Sequence, residues 1–139
     1  MVVQTDIAIS NQMTAEPAKK QLVIAIIDDE TSVLKGLKRL LDASNFATEI
    51  YDSAEAFLAR GDMSDVSCII LDIHLGGMSG IELRRRLKAM GSMIPVIFMT
   101  ALDTAAVRSE ANSLGYAAFL QKPFTGQLLI DSVRNATSH

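Results

Sequence analysis

Five residues with charged or polar side chains follow short apolar runs in this sequence. Asp28 and Asp29 follow one run, Asp72 another and Thr100 a third, and Lys122 comes one residue after a fourth. In an open parallel α/β sheet, functional groups gather beyond the carboxyl ends of the strands. If the apolar runs are strands of such a sheet, these five side chains lie along one edge of it.

The three carboxylates predict a strongly negative site. If the first and third strands are neighbours, Asp28, Asp29 and Asp72 crowd together, and each pair repels by about 3 kcal/mol at roughly 5 Å and an effective dielectric constant of about 20. Lys122 supplies one positive charge against three negative charges, so the site requires raised carboxylate pKa values or a bound cation. Oxygen ligands at a water-accessible edge favour a hard ion, and we expect Mg2+ rather than a transition metal.

Such a site is suited to phosphoryl transfer. The cation and the lysine neutralise phosphoryl oxygens while a carboxylate attacks phosphorus and becomes an acyl phosphate, and the Thr100 hydroxyl can hydrogen-bond to the new group. A competing interpretation is that each acidic residue only complements the positive end of a nearby helix. Five matching residues at successive strand ends favour the functional interpretation.

The elements that position these residues follow from the hydropathy pattern. From Leu22 onward, short apolar runs alternate with amphipathic stretches, as in β-α units that form a parallel sheet covered on both faces. We therefore predict an α/β fold with five strands and five helices. The predicted strands span Leu22–Ile27, Ala47–Tyr51, Ser67–Leu71, Ile94–Met99 and Ala117–Leu120.

Capping residues delimit the predicted helices. Ser53, Ser79 and Thr104 can each cap a helix N-terminus, and a glycine follows the end of each of these helices. Residues at helical spacing predict the buried side of the fifth helix. They are Phe124, Leu128, Leu129 and Val133.

Composition limits the class of protein. The chain has 139 residues, 49% of them hydrophobic and 21% charged, which is the size and balance of one globular domain. A formal net charge of -3 argues against direct binding to nucleic acid. No run is long enough to cross a membrane and no secretory signal is present, so we expect a cytoplasmic protein. Cys68 lies in an apolar run and is interpreted as a small buried hydrophobe.

The order and spacing of the polar residues resemble the response-regulator receiver family. Its members show an acidic pair after strand one, an aspartate after strand three, Thr or Ser after strand four and Lys-Pro after strand five. The matching residues are Asp28-Asp29, Asp72, Thr100 and Lys122-Pro123, and the stretches ILDIHLGGMSGIEL, VIFMTA and FLQKPF belong to the same pattern. The resemblance extends over residues 21–134.

The resemblance implies a flavodoxin-like, doubly wound sheet of five parallel strands in the order 2-1-3-4-5. It also implies that a histidine kinase or a phosphotransfer protein phosphorylates Asp72. Asp29, Asp72 and the backbone carbonyl of His74 would ligate Mg2+, and Asp28 would act through a metal-bound water. Lys122 would pair with the phosphoryl group, and the following Pro123 would have a cis peptide bond.

Other positions resemble residues that transmit or modulate the signal in this family. Phe119 occupies the place of a switch aromatic that responds to Thr100, although a plain core phenylalanine is the alternative. His74 and Leu102 correspond to positions that modulate dephosphorylation, although His74 is also compatible with an exposed loop histidine. Gly76 replaces a proline that many relatives have, so we expect a more mobile loop and an altered phosphoryl lifetime. Tyr116 is interpreted as a surface aromatic.

The leading functional hypothesis is a phosphoacceptor switch that binds a partner or a second copy through its fourth helix, fifth strand and fifth helix. Residues 1–20 are predicted to be a flexible leader and residues 21–136 the receiver domain. Because the fifth helix lies near His139, we expect a stand-alone receiver or the receiver part of a longer protein. The alternatives are a Mg2+-dependent aspartyl-phosphate phosphohydrolase, which normally has a second aspartate where His74 stands, and an unphosphorylated scaffold.

Overall fold

Five strands alternate with five helices through the part of the chain that the computed structural model describes, residues 22–138. The leader predicted at residues 1–20, and His139, lie outside the described residues. The strands are β1 (Val23–Ile27), β2 (Ala47–Tyr51), β3 (Val66–Asp72), β4 (Val96–Thr100) and β5 (Ala118–Gln121). The helices are α1 (Thr31–Ala43), α2 (Ala54–Ala59), α3 (Gly80–Ala89), α4 (Ala105–Leu114) and α5 (Gly126–Thr137).

The strands form one parallel sheet in the order β2-β1-β3-β4-β5. This confirms the predicted flavodoxin-like, doubly wound fold. The strand order reverses between β1 and β3, where Ile27 pairs with Leu71, and Asp72 pairs with Met99 of β4 on the other side. The carboxyl ends of the central strands therefore meet at the point of an open α/β sheet where ligands bind.

Alternating residues of the central strands enter two hydrophobic layers. On one face, Ile27 and Leu71 pack in the same cluster as Phe57 of α2 and Leu83 of α3. The opposite face has its own cluster, which brings together side chains of the strands, α1 and α5. Its buried members include Ile24, Ile26, Cys68, Ile70, Leu34, Leu41, Leu129 and Val133. Burial of strand residues toward both faces explains why their sequences are nearly continuous apolar runs.

The predicted helix starts are confirmed by side-chain caps. Ser53, Ser79 and Thr104 each accept a hydrogen bond from the backbone N–H three residues later, at distances of 3.0, 3.0 and 3.2 Å. Such caps satisfy backbone donors that have no partner within the helix. Cys68 is fully buried, as predicted, and burial raises the pKa of its thiol to about 12.

The predicted buried side of the fifth helix is wrong at Leu128, and Phe124, which is partly buried, lies before the helix rather than in it. Leu128 is 47% exposed, whereas Ile130 is buried beside Leu129. The helix begins at Gly126, and the Thr125 hydroxyl caps it by accepting a hydrogen bond from the Leu128 N–H. The side of the first turn on which Leu128 lies therefore faces away from the sheet.

Candidate functional site

Buried polar side chains mark the carboxyl edge of the sheet. Asp28 follows β1 directly, Asp72 ends β3 and Thr100 ends β4. Their exposed fractions are 0%, 6% and 0%, respectively. Polar groups at this depth require hydrogen-bonding or charged partners.

Lys122 connects the two buried carboxylates. Its Nζ atom donates to Asp28 Oδ2 at 2.7 Å and to Asp72 Oδ2 at 3.2 Å, although 94 residues separate Lys122 from Asp28 in sequence. The Lys122 backbone N–H donates to the Thr100 carbonyl at 2.8 Å and fixes the end of β5 beside β4. The Lys122–Pro123 peptide bond is cis.

The second oxygen of each buried carboxylate holds the loop that follows its own strand. Asp28 Oδ1 accepts the Glu30 N–H at 2.9 Å, and Asp72 Oδ1 accepts the His74 N–H at 3.1 Å. Both Oδ2 atoms face the lysine. The two carboxylates are thereby held in fixed orientations before any ligand binds.

The site carries more negative charge than its lysine can balance. Burial and the neighbouring Asp28 carboxylate raise the pKa of Asp72, although Lys122 and the His74 N–H act in the opposite direction. Burial would lower the pKa of Lys122, but its bonds and charge interactions with Asp28 and Asp72 raise that pKa on balance. A further positive charge would stabilise the ionised form of Asp72.

The donor atoms fit a hard divalent cation. One carboxylate oxygen from each of Asp28, Asp29 and Asp72 lies within 4.8 Å of the others. Asp29 is exposed, so water can reach the cluster. Oxygen ligands with room for water match the coordination of Mg2+. An open cavity of about 410 Å³ lies beside the cluster, and its lining comprises Asp29, Glu30, Asp72, His74, Ala101, Leu102 and Lys122.

Comparison with known sequences decides the family. Residues 24–134 match the response regulator receiver domain, which is nearly all of the part that the structure describes. The chain belongs to this family. Receiver domains are the phosphoacceptor switches of two-component signal transduction, they generally bind Mg2+ at an acidic pocket, and they interact with histidine kinases or phosphotransfer proteins.

Curated relatives of this receiver domain include transcriptional regulators. The chain is 39% identical over 115 residues to the transcriptional regulatory protein FixJ of Azorhizobium caulinodans, covering 83% of this chain and 54% of that protein. It is 34% identical to the response regulator protein TodT of Pseudomonas putida strain F1, covering 82% of this chain and 50% of TodT. The chain thus spans about half the length of these relatives.

Solved structures show the same fold. FixJ-N superposes with a TM-score of 0.78 at 33% identity, covering 87% of this chain and 97% of FixJ-N. The response regulator StyR gives a TM-score of 0.79 at 35% identity, covering 84% of this chain and 59% of StyR. Within residues 22–138, no helix combines the length and the apolar character needed to cross a membrane.

The loop after the receiver domain's central strand is tied to two carboxylates. The Gly76 N–H donates to Asp29 Oδ2 at 3.3 Å, and the Met78 N–H donates to Glu55 Oε2 at 2.9 Å. The bond from Met78 is the main reason that the pKa of Glu55 is lowered. Glu55 was not predicted from the sequence, because an acidic residue in a first helical turn is also explained by the helix dipole.

Thr100 and Phe119 lie on either side of the β4–β5 pairing. The Thr100 hydroxyl donates to the Leu102 carbonyl and accepts from the Leu102 N–H, both at 3.0 Å. Phe119 is half-buried, with its ring centroid 6.3 Å from Phe98 and 5.6 Å from Tyr116. Tyr116, interpreted from the sequence as a surface aromatic, is half-buried: its ring packs in this cluster, and its exposed hydroxyl donates to a side chain of α4.

The structure thus brings most of the predicted site residues together. Asp28, Asp72 and Lys122 are in direct contact, and Asp29 completes the carboxylate cluster. His74 and Leu102 line the cavity beside them. The Thr100 hydroxyl is bonded within its own loop, and Phe119 does not line the cavity.

Proposed function

We propose that Asp72 is the phosphoacceptor of this receiver domain. The observation that carries the proposal is the position of Asp72 between Lys122 and the open cavity: of the two buried carboxylates on the lysine, it is the one that lines this cavity. Asp28 is fully buried and is not among the residues that line the cavity. Asp29 also lines the cavity, but Asp72 is the lining carboxylate that bonds to Lys122, so a phosphodonor in the cavity meets a carboxylate and the lysine together at Asp72.

The reaction is a direct transfer of a phosphoryl group. An Asp72 carboxylate oxygen attacks phosphorus of a phosphohistidine on a histidine kinase or phosphotransfer protein. The new O–P bond replaces the N–P bond, and the donor imidazole nitrogen recovers the electron pair. Lys122 is positioned to pair with phosphoryl oxygens, and Thr100 can hydrogen-bond to the product after its hydroxyl leaves Leu102. Hydrolysis of the acyl phosphate returns the starting state.

Asp29, Asp72 and the His74 backbone carbonyl are proposed to hold Mg2+, with Asp28 acting through a water. When bound, the ion supplies positive charge that neutralises phosphoryl oxygens. The protein's contribution is to hold the carboxylates in place through the hydrogen bonds to the Glu30 and His74 amides. The excess of negative charge described above supports this assignment.

The proposed function also assigns roles to residues around the phosphoacceptor and to one face of the domain. Thr100 and Phe119 act as switch residues, and the α4-β5-α5 face binds a downstream protein or a second copy. His74, Leu102 and Gly76 modulate the phosphoryl lifetime because they flank the cavity or its loop. The functional unit comprises residues 21–136, and it acts in the cytoplasm without direct contact to nucleic acid.

Incubation with acetyl phosphate and Mg2+, followed by intact mass measurement, tests the proposal. We expect one added phosphoryl group on the wild-type chain and none on Asp72→Asn, with uptake lost when Mg2+ is chelated. Ser64→Ala, at an exposed site in the α2–β3 loop, serves as a control that should be phosphorylated normally. Absence of uptake would favour an unphosphorylated scaffold, and rapid turnover of many phosphomonoesters would favour a phosphohydrolase.

A further inference from the structure

Arg108 of α4 covers the ring of Phe119. The central carbon of its guanidinium lies 3.8 Å from the ring centroid, within the range of a cation–π interaction. Two aromatic rings also lie beside it, those of Phe98 and Tyr116, whose centroids are 6.3 and 5.6 Å away. Phe119 is thus packed against two aromatic rings and is covered by one cation.

Asp103 fixes the position of that cation. Its Oδ2 atom accepts from Arg108 Nη2 at 2.6 Å and its Oδ1 atom from Arg108 Nε at 3.3 Å, so the carboxylate binds one edge of the guanidinium through two nitrogens. The planar fork of an arginine bound in this way retains little rotational freedom. Asp103 therefore holds Arg108 over the ring.

Asp103 lies in the same short loop that binds the Thr100 hydroxyl. Residues 101–104 connect β4 to α4, and Leu102 both donates to and accepts from Thr100 Oγ1 at 3.0 Å. A movement of the Thr100 hydroxyl toward a phosphoryl group breaks both bonds to Leu102. The neighbouring Asp103 carboxylate is then free to shift, and its hold on Arg108 weakens.

We propose that Arg108 is a latch that holds Phe119 in the position it has while the Thr100 hydroxyl is bonded to Leu102, and that the latch is released through the 101–104 loop when this hydroxyl turns toward a phosphoryl group. The proposal rests on the proposed function, because it assigns Phe119 the role of the switch aromatic. A contact that exists only in the unphosphorylated conformation stabilises that conformation relative to the phosphorylated one. By linkage, the same contact makes phosphorylation of Asp72 less favourable. Arg108 is a positioning residue, since it acts on Asp72 only through Phe119 and the loop.

If Arg108 acts as this latch, removing its side chain should make phosphorylation faster. An exposed cation–π contact corresponds to a factor of about two to five in the equilibrium. Arg108→Ala is therefore expected to increase the Mg2+-dependent rate of phosphorylation by acetyl phosphate by about two- to fivefold. Asp103→Asn should give a smaller increase. Arg39→Ala, which removes an exposed arginine of α1, is the matched control and should leave the rate unchanged.

A double-mutant cycle separates the latch from a general effect of lost charge. In a Phe119→Leu background the guanidinium no longer covers the Phe119 ring, although its interaction with the Tyr116 hydroxyl remains. The effect of Arg108→Ala on the rate should therefore be much smaller in that background than in the wild type. An equal effect of Arg108→Ala in both backgrounds, or a wild-type rate for Arg108→Ala alone, would overturn the proposal. Thermal unfolding of each variant shows whether it is folded at the assay temperature.

A second readout does not depend on phosphorylation. Fluorine NMR of protein labelled with 4-fluorophenylalanine gives a signal for each of the five phenylalanines, and the one missing in Phe119→Leu belongs to Phe119. Arg108→Ala should shift or broaden that signal in the unphosphorylated protein, whereas Arg39→Ala should not. If the Phe119 signal changes in Arg108→Ala but the wild-type protein takes up no phosphoryl group, the contact between Arg108 and Phe119 is supported while the proposed function is contradicted. An unchanged signal contradicts the latch.

Discussion

At the scale of single residues, the site combines two buried carboxylates with one lysine. Asp28 and Asp72 each direct one oxygen to Lys122 and the other to a backbone N–H. These bonds satisfy the geometry of the carboxylates but leave an excess of negative charge. The raised pKa of Asp72 is the consequence, and it makes the stability of the metal-free domain depend on pH.

Asp72→Asn is expected to stabilise the metal-free domain at neutral pH. Because the folded-state pKa of Asp72 is raised, the folded chain binds its proton more tightly than the unfolded chain does. The wild type therefore loses stability as the pH rises above about 4 and through the raised pKa, and the substitution removes that loss. We expect the substitution to raise the free energy of unfolding and the melting temperature at neutral pH.

Thermal unfolding in the presence of a chelator, measured from acid to neutral pH, checks this expectation. The difference between Asp72→Asn and wild type should shrink as the pH falls and Asp72 becomes protonated. Added Mg2+ should stabilise the wild type more than the variant. A variant that is less stable than wild type at neutral pH without metal would show that the carboxylate is not strained by its neighbours.

At the scale of elements, the start of α3 is pressed against the end of β3. The Gly80 N–H donates to the Ile73 carbonyl at 2.9 Å, and a Cβ atom on Gly80 would overlap the Asp72 carbonyl oxygen and approach Ile73 Cα to 2.9 Å. Because the neighbours are backbone atoms, they cannot move aside as a flexible side chain could. The helix thus fixes the backbone that carries Asp72.

Gly80→Ala is expected to destabilise the domain by about 3 kcal/mol or more. Gly36→Ala is a matched control, since Gly36 lies in α1 with no atom within 4 Å of an added Cβ. That substitution should stabilise the domain by up to about 1 kcal/mol, because alanine favours a helix over glycine. Denaturant unfolding of both variants measures the contrast, and a Gly80→Ala midpoint equal to wild type would refute the close packing.

Arg84 attaches α3 to the end of α4. Its Nε donates to the Gly115 carbonyl at 3.0 Å and its Nη2 donates to the Leu114 carbonyl at 3.3 Å. Arg84→Ala should therefore cost about 1.5–3 kcal/mol of unfolding free energy and increase amide exchange near the end of α4. Arg86→Ala, which removes an exposed ion pair with Glu82 and a charge interaction with exposed Glu55, should cost less than about 1 kcal/mol. Equal losses would contradict the role of Arg84 as a cap.

Local patterns in the sequence were sufficient to predict the helices and strands, but not the contacts between these elements. Caps such as Ser79 and the apolar strands depend on near neighbours, so their positions could be predicted. Whether Ile130 or Leu128 is buried depends on how the first turn of α5 is oriented relative to the sheet, and the local sequence does not determine that orientation. The contacts of Glu55 and Arg84 join elements distant in sequence, and periodicity carries no information about such partners.

The candidate site was predicted more completely than the packing around it. Asp28, Asp72 and Lys122 each stand at the end of a strand, and a parallel sheet necessarily brings those ends to one edge. The orientation of Thr100 toward Leu102 could not be predicted, because it depends on a hydroxyl rotamer and a loop conformation. The same holds for the ring cluster around Phe119.

At the scale of the whole molecule, the sheet separates two layers of packing while its carboxyl edge collects the charged groups. The loop after β4 joins that edge to α4, where Arg108 contacts Phe119. If the Thr100 hydroxyl turns from Leu102 toward a phosphoryl group on Asp72, the resulting shift of the loop can reach the α4-β5-α5 face through Asp103, Arg108 and Phe119. The domain can act as such a switch only if the phosphoryl group is placed on Asp72.

Locating that group on the chain tests the central claim most directly. After reaction with acetyl phosphate and Mg2+, borohydride reduces an acyl phosphate on aspartate to homoserine, and peptide mass spectrometry identifies the converted residue. We predict conversion at Asp72 alone, dependent on both the phosphodonor and Mg2+. Conversion at Asp28 or Asp29 instead, or no conversion at any aspartate, would contradict the assignment of Asp72 as the phosphoacceptor.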